Sequence, residues 1–569
     1  MKKFFSYFKS YKKECVLAPL LKLAEALMEL FIPILVADII DRGINGGDKN
    51  VIITDVLIMV ALGALGLIFS VTGQFFSAKA AVGYSSDLRS ALYKKLMRLP
   101  LGETDKIGTA RMVTTMTSDV GKVQSGVNLA LRLLLRSPFV VLGAFVAACI
   151  INLKIAVIFA VTILALALVV AVIMVITMPK FSKAQRMLDG VSLVARENLT
   201  GARVIRAFGV ENDEVECYEN RINSLEKFQN ATGKISALLN PLTFCMVNIA
   251  IVVLLYFGGV KVQSGVLTQG AIIALYDYLS QILVELVKFA NLVVSISKAI
   301  ASGKRIDEVL SVEEKPLSVS NDAEASPFIK FENVCASYGG GDVLTNVNFS
   351  VGKGQTVGVI GGTGSGKTTL INLLAGLYPT SSGSVYINGK DINGIRAEER
   401  SKLVAVALQK PTLFKGTVKS NLLMGKGDAT DEDMINAIQT AQATDVIEAK
   451  GKGLLAEVEQ GGRNFSGGQR QRLSLARAIV AKPKILVLDD SSSALDYVTD
   501  LNLRRAIKKQ DFDQTVFIVS QRTASVKDAD KIIVLDDGEI VGIGTHDELY
   551  SSCEAYREIE DSQSKEGNV

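Results

Sequence analysis

Eight consecutive residues in the second half of the chain, Gly361, Gly362, Thr363, Gly364, Ser365, Gly366, Lys367 and Thr368, have the types and spacing of a phosphate cradle. Glycines let successive backbone N–H groups curl around a polyanion at a helix N-terminus. Lys367 can then reach the outer phosphates, and the Thr368 hydroxyl can ligate Mg²⁺. The setting is the one such a loop needs, because an apolar strand precedes it and a helical run from Thr369 to Leu377 follows. Further on, Ile485 to Asp489 reads as an apolar strand ending in a carboxylate, where Asp489 can hold the Mg²⁺ shell opposite Lys367. Between these motifs, Ser466, Gly467, Gly468 and Gln469 open a helix running to about Ala481. Its exposed N–H groups suit a γ-phosphate.

This order of motifs resembles the ATP-binding-cassette family, whose signature is L-S-G-G-Q; Phe465 stands at the leucine position here. The resemblance implies ATP and Mg²⁺ as cofactors and ATP hydrolysis coupled to transport. Tyr338 resembles the aromatic that stacks on adenine, and Gln409 the glutamine that joins Thr368 and Asp489 around Mg²⁺. Ser493, Ala494, Leu495 and Asp496 resemble the D-loop. In that family ATP lies between one chain's phosphate loop and the other's signature, so Ser466 to Gln469 are expected to complete a site on a homologous half-transporter. By the same resemblance, helices near Gly108 to Val120 and Asn198 to Phe208 are expected to couple the spans to the cassettes.

Two catalytic positions depart from the family pattern. Asp490 stands where a glutamate polarises the attacking water, and Gln521 stands where a switch histidine contacts the γ-phosphate. The single histidine, His546, lies near the C-terminus and reads as the opening of a surface helix. One missing methylene withdraws the carboxylate by roughly 1.5 Å. A displacement of about 1 Å can cost on the order of a hundredfold in rate. Gln521 can donate a hydrogen bond but cannot carry positive charge. The phosphate-binding parts are intact and the hydrolytic parts altered, so the chain's own site is expected to bind ATP and turn over slowly. A homodimer would then lack a good catalytic centre, and a heterodimer is expected. The pattern looks like the degenerate-site subunit of heterodimeric bacterial multidrug exporters. Such a subunit sits in the cell membrane with its nucleotide-binding half in the cytoplasm, and moves amphipathic or hydrophobic small molecules outward. An importer on the same fold and an ATP-gated channel or regulatory subunit remain alternatives.

The elements that must position these residues divide the chain in two. Of its 569 residues, 49% are hydrophobic and 21% charged, but the two kinds are segregated: long apolar runs fill the chain before about Ala301, and short strands and Gly-rich turns follow Pro327. Six stretches, about 15 to 40, 53 to 80, 128 to 151, 154 to 178, 236 to 259 and 269 to 300, can cross a bilayer as helices. The fold class is therefore a membrane all-α domain of six transmembrane helices with long cytoplasmic loops, plus an α/β P-loop cassette. The expected boundaries are 1–310 for the membrane domain, 311–327 for a polar linker and 328–569 for the cassette. Basic residues crowd the two long loops after the second and fourth spans, which places those loops, the N-terminus and the cassette on the cytoplasmic side.

Phe4, Phe8 and Tyr11 share a face opposite lysines, as in a helix lying among lipid headgroups. No cleavable signal is expected, because the apolar stretch after it is too long and lacks a small-residue cleavage site. The net charge of +4 comes without a basic block interleaved with aromatics, so nucleic acid is not an expected partner. Six scattered cysteines form no C-x-x-C pair and read as reduced structural thiols. Glu25, Glu29, Arg132, Arg136, Asp277, Glu285 and Lys288 fall in or near spans. They either line a substrate cavity or, the favoured reading, lie in cytoplasmic extensions or pair across helices.

Overall fold

The computed structural model describes residues 6–312, 327–338, 341–490, 495–510 and 513–566, so most of the expected linker lies outside the described residues. Two compact units result: Met1–Arg98 with Gly108–Val312, and Leu99–Ile107 with Glu313–Val569.

The first unit is helical. Its long helices are Lys12–Asp38, Lys49–Leu96, Arg136–Ile151, Leu153–Thr200, Glu211–Ala237, Leu239–Gln263 and Gln269–Ser311. A helix of 48 residues such as Leu153–Thr200 is roughly 72 Å long at 1.5 Å per residue. That exceeds the ~30 Å hydrocarbon layer more than twofold, so these helices protrude far beyond a membrane. The tight turn before Leu153 is made by Asn152, whose extended backbone ends one helix while its side-chain oxygen accepts from Lys154 N at 3.1 Å and Ile155 N at 3.3 Å.

Among the described residues five helical stretches are long and apolar enough to cross a membrane: Lys49–Leu96, Thr109–Ile151, Leu153–Thr200, Glu211–Gln263 and Gln269–Ser311. The first expected span is a helix of sufficient length, Lys12–Asp38, but it is not one of the five. Its sequence places Lys22, Glu25 and Glu29 one turn apart on one face.

Those charges are not turned to lipid. Lys22 donates to Glu25 at 2.6 Å and to Ser70 at 3.0 Å. Arg136, buried, donates to Glu285 at 2.6 Å and to Glu29 at 2.6 Å, while Ser137 and Lys288 donate to Glu285 at 2.7 and 2.8 Å. Ionisable groups from three helices thus satisfy one another, as the favoured sequence reading expects; Arg132 and Asp277 make no ion pair among the described residues. At the N-terminus, Tyr7–Tyr11 is a short 3₁₀ turn rather than a separate headgroup helix. Phe8 stacks on the buried Tyr84 with ring centroids 4.2 Å apart, so its aromatic face is taken up by protein; Phe4 lies outside the described residues.

The second unit carries twelve strands among its described residues: β1 Ile329–Ser337, β2 Asp342–Val351, β3 Thr356–Gly361, β4 Ser382–Ile387, β5 Lys390–Asp391, β6 Val404–Ala407, β7 Gly416–Thr417, β8 Glu457–Val458, β9 Ile485–Asp489, β10 Thr515–Val519, β11 Lys531–Asp536 and β12 Glu539–Gly544. The central sheet runs β12-β11-β3-β10-β9-β6 and is parallel except for the β11–β12 pair. All five residues of β9 are buried, as a parallel strand covered on both faces requires. A smaller antiparallel sheet, β2-β1-β4-β5, packs Phe331 and Phe349 against the helix Lys367–Leu374.

The loop helix Leu101–Ile107 groups with this unit, where Tyr378 donates a hydrogen bond to Asp105. The loop segment that packs with cassette residues is therefore just upstream of the expected Gly108–Val120, and the helix Ala202–Phe208 stays with the first unit.

Replacing Arg136 would take one of three partners from Glu285, leaving Lys288 and Ser137, and would leave Glu29 without its cation. Arg136→Met should destabilise the purified chain by about 1.5–3 kcal/mol in a denaturation assay, and adding Glu29→Gln should recover part of that loss.

Candidate nucleotide site

The parallel sheet aligns the C-terminal ends of β3, β9 and β10 along one edge, the place where an open α/β sheet binds its ligand. The chain leaves β3 through Gly361, where an added Cβ would lie 2.1 Å from Leu535 O. It then turns through Gly364 and Gly366, both with positive φ (+88° and +96°), into the helix Lys367–Leu374. Only glycine takes that path without strain, and the path leaves the first N–H groups of the helix facing outward. In front of them lies a cavity of about 270 Å³ lined by Val343, Thr363, Gly364, Gly366, Lys367, Thr368, Thr369, Gln409, Asp489, Asp490, Val519, Ser520 and Gln521.

Lys367 folds back on the loop, donating to Gly361 O at 2.8 Å, Gly362 O at 2.6 Å and Ser365 Oγ at 3.3 Å. Burial pulls its pKa below the ordinary lysine value, although Asp490 and Asp489 oppose the shift. Asp489 is buried at the end of β9; desolvation, then the neighbouring Asp490 charge, push its pKa up to about 6, against the pull of Lys367. The donors that converge here, Thr368 hydroxyl, Gln409 amide and Asp489 carboxylate, are all oxygen donors of the kind Mg²⁺ takes alongside phosphate. The residues therefore fit the ion.

Asp490 turns sharply out of the strand with φ of +46°, a left-handed conformation that aspartate tolerates better than most residues. Its N–H donates to Val519 O at 2.9 Å, and its carboxylate accepts from Gln409 Nε2 at 3.1 Å. Tyr338 is half exposed and meets Tyr378 edge-on, with centroids 5.1 Å apart; its hydroxyl reaches Thr369 Oγ1 at 3.4 Å. One ring face is thereby braced beside the phosphate loop.

The signature lies elsewhere. Ser466 caps the helix Gly467–Ile479 by accepting from Gln469 N at 3.3 Å, and its own N–H donates to Gln469 Oε1 at 2.9 Å. Neither these residues nor Gly468 line the cavity, and nothing stands within 4 Å of where a Gly467 side chain would begin. Of the D-loop residues, Ser493 and Ala494 lie outside the described residues. Leu495 is buried in the core, and Asp496 caps the helix Tyr497–Lys508 by accepting from Thr499 N at 3.1 Å. His546 begins a short helix, as expected, with Nδ1 2.8 Å from Tyr556 Oη. Val343, Val519 and Ser520 line the cavity without having been singled out from sequence; Val519 and Ser520 directly precede Gln521 and were findable on that ground.

Residues 15–286 match the ABC transporter transmembrane region family, and residues 344–493 match the ABC transporter family. An uncharacterised ABC transporter ATP-binding protein of Mycobacterium tuberculosis is 31% identical over 99% of this chain and 98% of its own length. This chain belongs to the ABC transporter family. An ATP-dependent lipid A-core flippase of Desulfotalea psychrophila is 28% identical over 90% of this chain and 91% of its own length. A bacterial Atm1-family ABC exporter, solved with ATP bound, superposes with a TM-score of 0.83 over 98% of both chains at 21% identity, which shows the fold. The chain is thus a membrane-embedded ABC transporter of exporter-type fold, whose cassette binds ATP and couples its hydrolysis to transport.

The raised pKa of Asp489 sets a sign for pH. Below about pH 6 the carboxyl is protonated and cannot hold a cation. ATP affinity measured with Mg²⁺ should therefore fall as pH drops from 7 to 5, while affinity measured in a chelator should not follow it. Without ligand the linkage runs the other way: the group's contribution to stability is lost as pH rises from the ordinary aspartate range through 6.

Proposed function

We propose that this chain is the degenerate-site subunit of a heterodimeric exporter that moves amphipathic or hydrophobic compounds out of the cytoplasm or inner leaflet of a bacterial cell membrane. The observation that carries this reading is the pairing at the end of β9: among the described residues lining the cavity, the carboxylate beside Asp489 is the short Asp490, and it is engaged by Gln409. Just beyond β10, Gln521 lines the same cavity and carries no charge.

Each residue's part follows from its place. The backbone N–H groups after Gly364, with Lys367 released from Gly361 O and Gly362 O, hold the phosphates. Thr368, Gln409 and Asp489 hold Mg²⁺, which when bound neutralises phosphate charge. Tyr338 offers its open face to the adenine. Asp490 sits too far back to orient water well, and Gln521 supplies a hydrogen bond without positive charge. Hydrolysis in this pocket is consequently slow, and its main output is closure on bound ATP. Ser466, Gly467, Gly468 and Gln469, being outside this chain's own cavity, present a capped helix N-terminus to the nucleotide of a homologous half-transporter. That partner supplies the glutamate and the histidine. An amphipathic substrate accords with the relative named as a lipid A-core flippase. The nucleotide-binding half is cytoplasmic, and the domain boundaries fall near residues 311–327.

The test is ATP hydrolysis by the purified chain in lipid nanodiscs, alone and with its co-purified partner. The chain alone should hydrolyse slowly, and the double substitution Asp490→Glu with Gln521→His should raise its rate by an amount approaching a hundredfold, or ~2.7 kcal/mol of barrier. In the complex, glutamine at the partner's catalytic glutamate should abolish turnover, whereas Asp490→Asn should change it little. Brisk hydrolysis and substrate pumping by the unmodified chain without a partner would refute the reading.

A further inference from the structure

Gln563 belongs to the helix Glu554–Glu566, far in sequence from every phosphate-binding motif, yet its amide grips the segment that carries Gln521. Its Oε1 accepts from Thr523 N at 2.9 Å and from Thr523 Oγ1 at 3.1 Å, and its Nε2 donates to Gln521 O at 2.7 Å. Thr523 opens the four-residue helix Thr523–Val526, and Arg522 before it provides no side-chain cap. The orphan N–H at that helix start is therefore satisfied by a side chain 40 residues away.

The gripping amide is itself fixed. Tyr556, fully buried, packs with Ile360, Val526, Ala529, Ile532 and Val534; Ile559 packs against the same cluster, and Gln563 follows at the i, i+3, i+7 spacing of one helix face. The segment's other end is tied to the sheet, since Ser520 N donates to Val359 O at 3.1 Å. Gln521 thus stands between a strand end and a clamp, with its side chain at the cavity.

We infer that Gln563 is a positioning residue of the nucleotide site, holding the 521–523 segment so that Gln521 faces the terminal phosphate; this rests on reading Gln521 as the γ-phosphate contact. A clamp of this kind affects only a ligand that reaches Gln521. It therefore governs discrimination between ATP and ADP rather than nucleotide binding as a whole.

Titration calorimetry of the full-length chain with ATP and with ADP, each with Mg²⁺, tests it. Gln563→Leu removes all three bonds of the clamp and should weaken ATP binding by roughly three- to tenfold, the worth of the one phosphate hydrogen bond from Gln521, while leaving ADP binding unchanged. Gln563→Glu keeps the acceptor for Thr523 but cannot donate to Gln521 O, and should fall between wild type and leucine. Combining Gln521→Ala with Gln563→Leu should cost no more than Gln521→Ala alone. If Gln521→Ala lowers the ATP preference and Gln563→Leu does not, the inference fails and the reading of Gln521 stands. Equal loss of ATP and ADP affinity in Gln563→Leu also overturns it, as a general structural defect. A silent Gln521→Ala overturns the reading of Gln521 and the inference together.

Discussion

Holding a polyphosphate without a matching pile of cations is the constraint on which the cassette depends. The answer is backbone geometry: amide N–H groups at the start of the helix Lys367–Leu374, exposed because Gly364 and Gly366 turn the chain through positive φ. That turn works only if β3 ends in a fixed place. Its registers with β10 and β11, Val516 opposite Thr356 and Lys531 opposite Val357, provide this. The same parallel alignment brings Asp489 and Gln521 to one edge from strands 25 or more residues apart in the chain. A single element misplaced by one residue would invert side chains across the sheet and dissolve the site.

Within that frame Asp490 and Gln409 satisfy each other, and this matters as much as the missing methylene. A carboxylate that accepts from an amide has less capacity left to accept from water. The left-handed backbone at Asp490 also directs the side chain away from the strand axis. On the proposed reading of the site, slow chemistry would rest on this pairing and backbone turn together with the shorter side chain, and not on one substitution alone.

Much of the site was legible in the sequence because its residues are consecutive: Gly361 to Thr368 announce their own backbone path, and Ile485 to Asp489 form a strand apolar enough to be recognised unaided. What escaped was long-range or antiparallel. Strand β2 alternates, with Asn346, Asn348 and Ser350 exposed between buried Val347, Phe349 and Val351, and so lacks the continuous apolar run that marked β9. The helix Lys12–Asp38 was recognised by length, but its charges became interpretable only when Arg136 and Glu285 were seen beside them. The loop helix Leu101–Ile107 is too short and too polar for its partner Tyr378 to be guessed. Gln563 looked like one more surface amide in a charged helix, because a hydrogen bond spanning 40 residues leaves no periodic trace.

The ion network among the helices has a consequence for how the protein is made. Lys22, Glu25 and Glu29 leave the ribosome more than 100 residues before Arg136 and about 250 before Glu285. Lys22 and Glu25 can neutralise each other as soon as their helix forms, whereas Glu29 meets its cation only when Arg136 has been made. The opening helix thus depends on Arg136 for its last unmatched charge, and Arg136 in turn depends on Glu285 from the final long helix, so the ion network closes only when the whole helical unit has been synthesised.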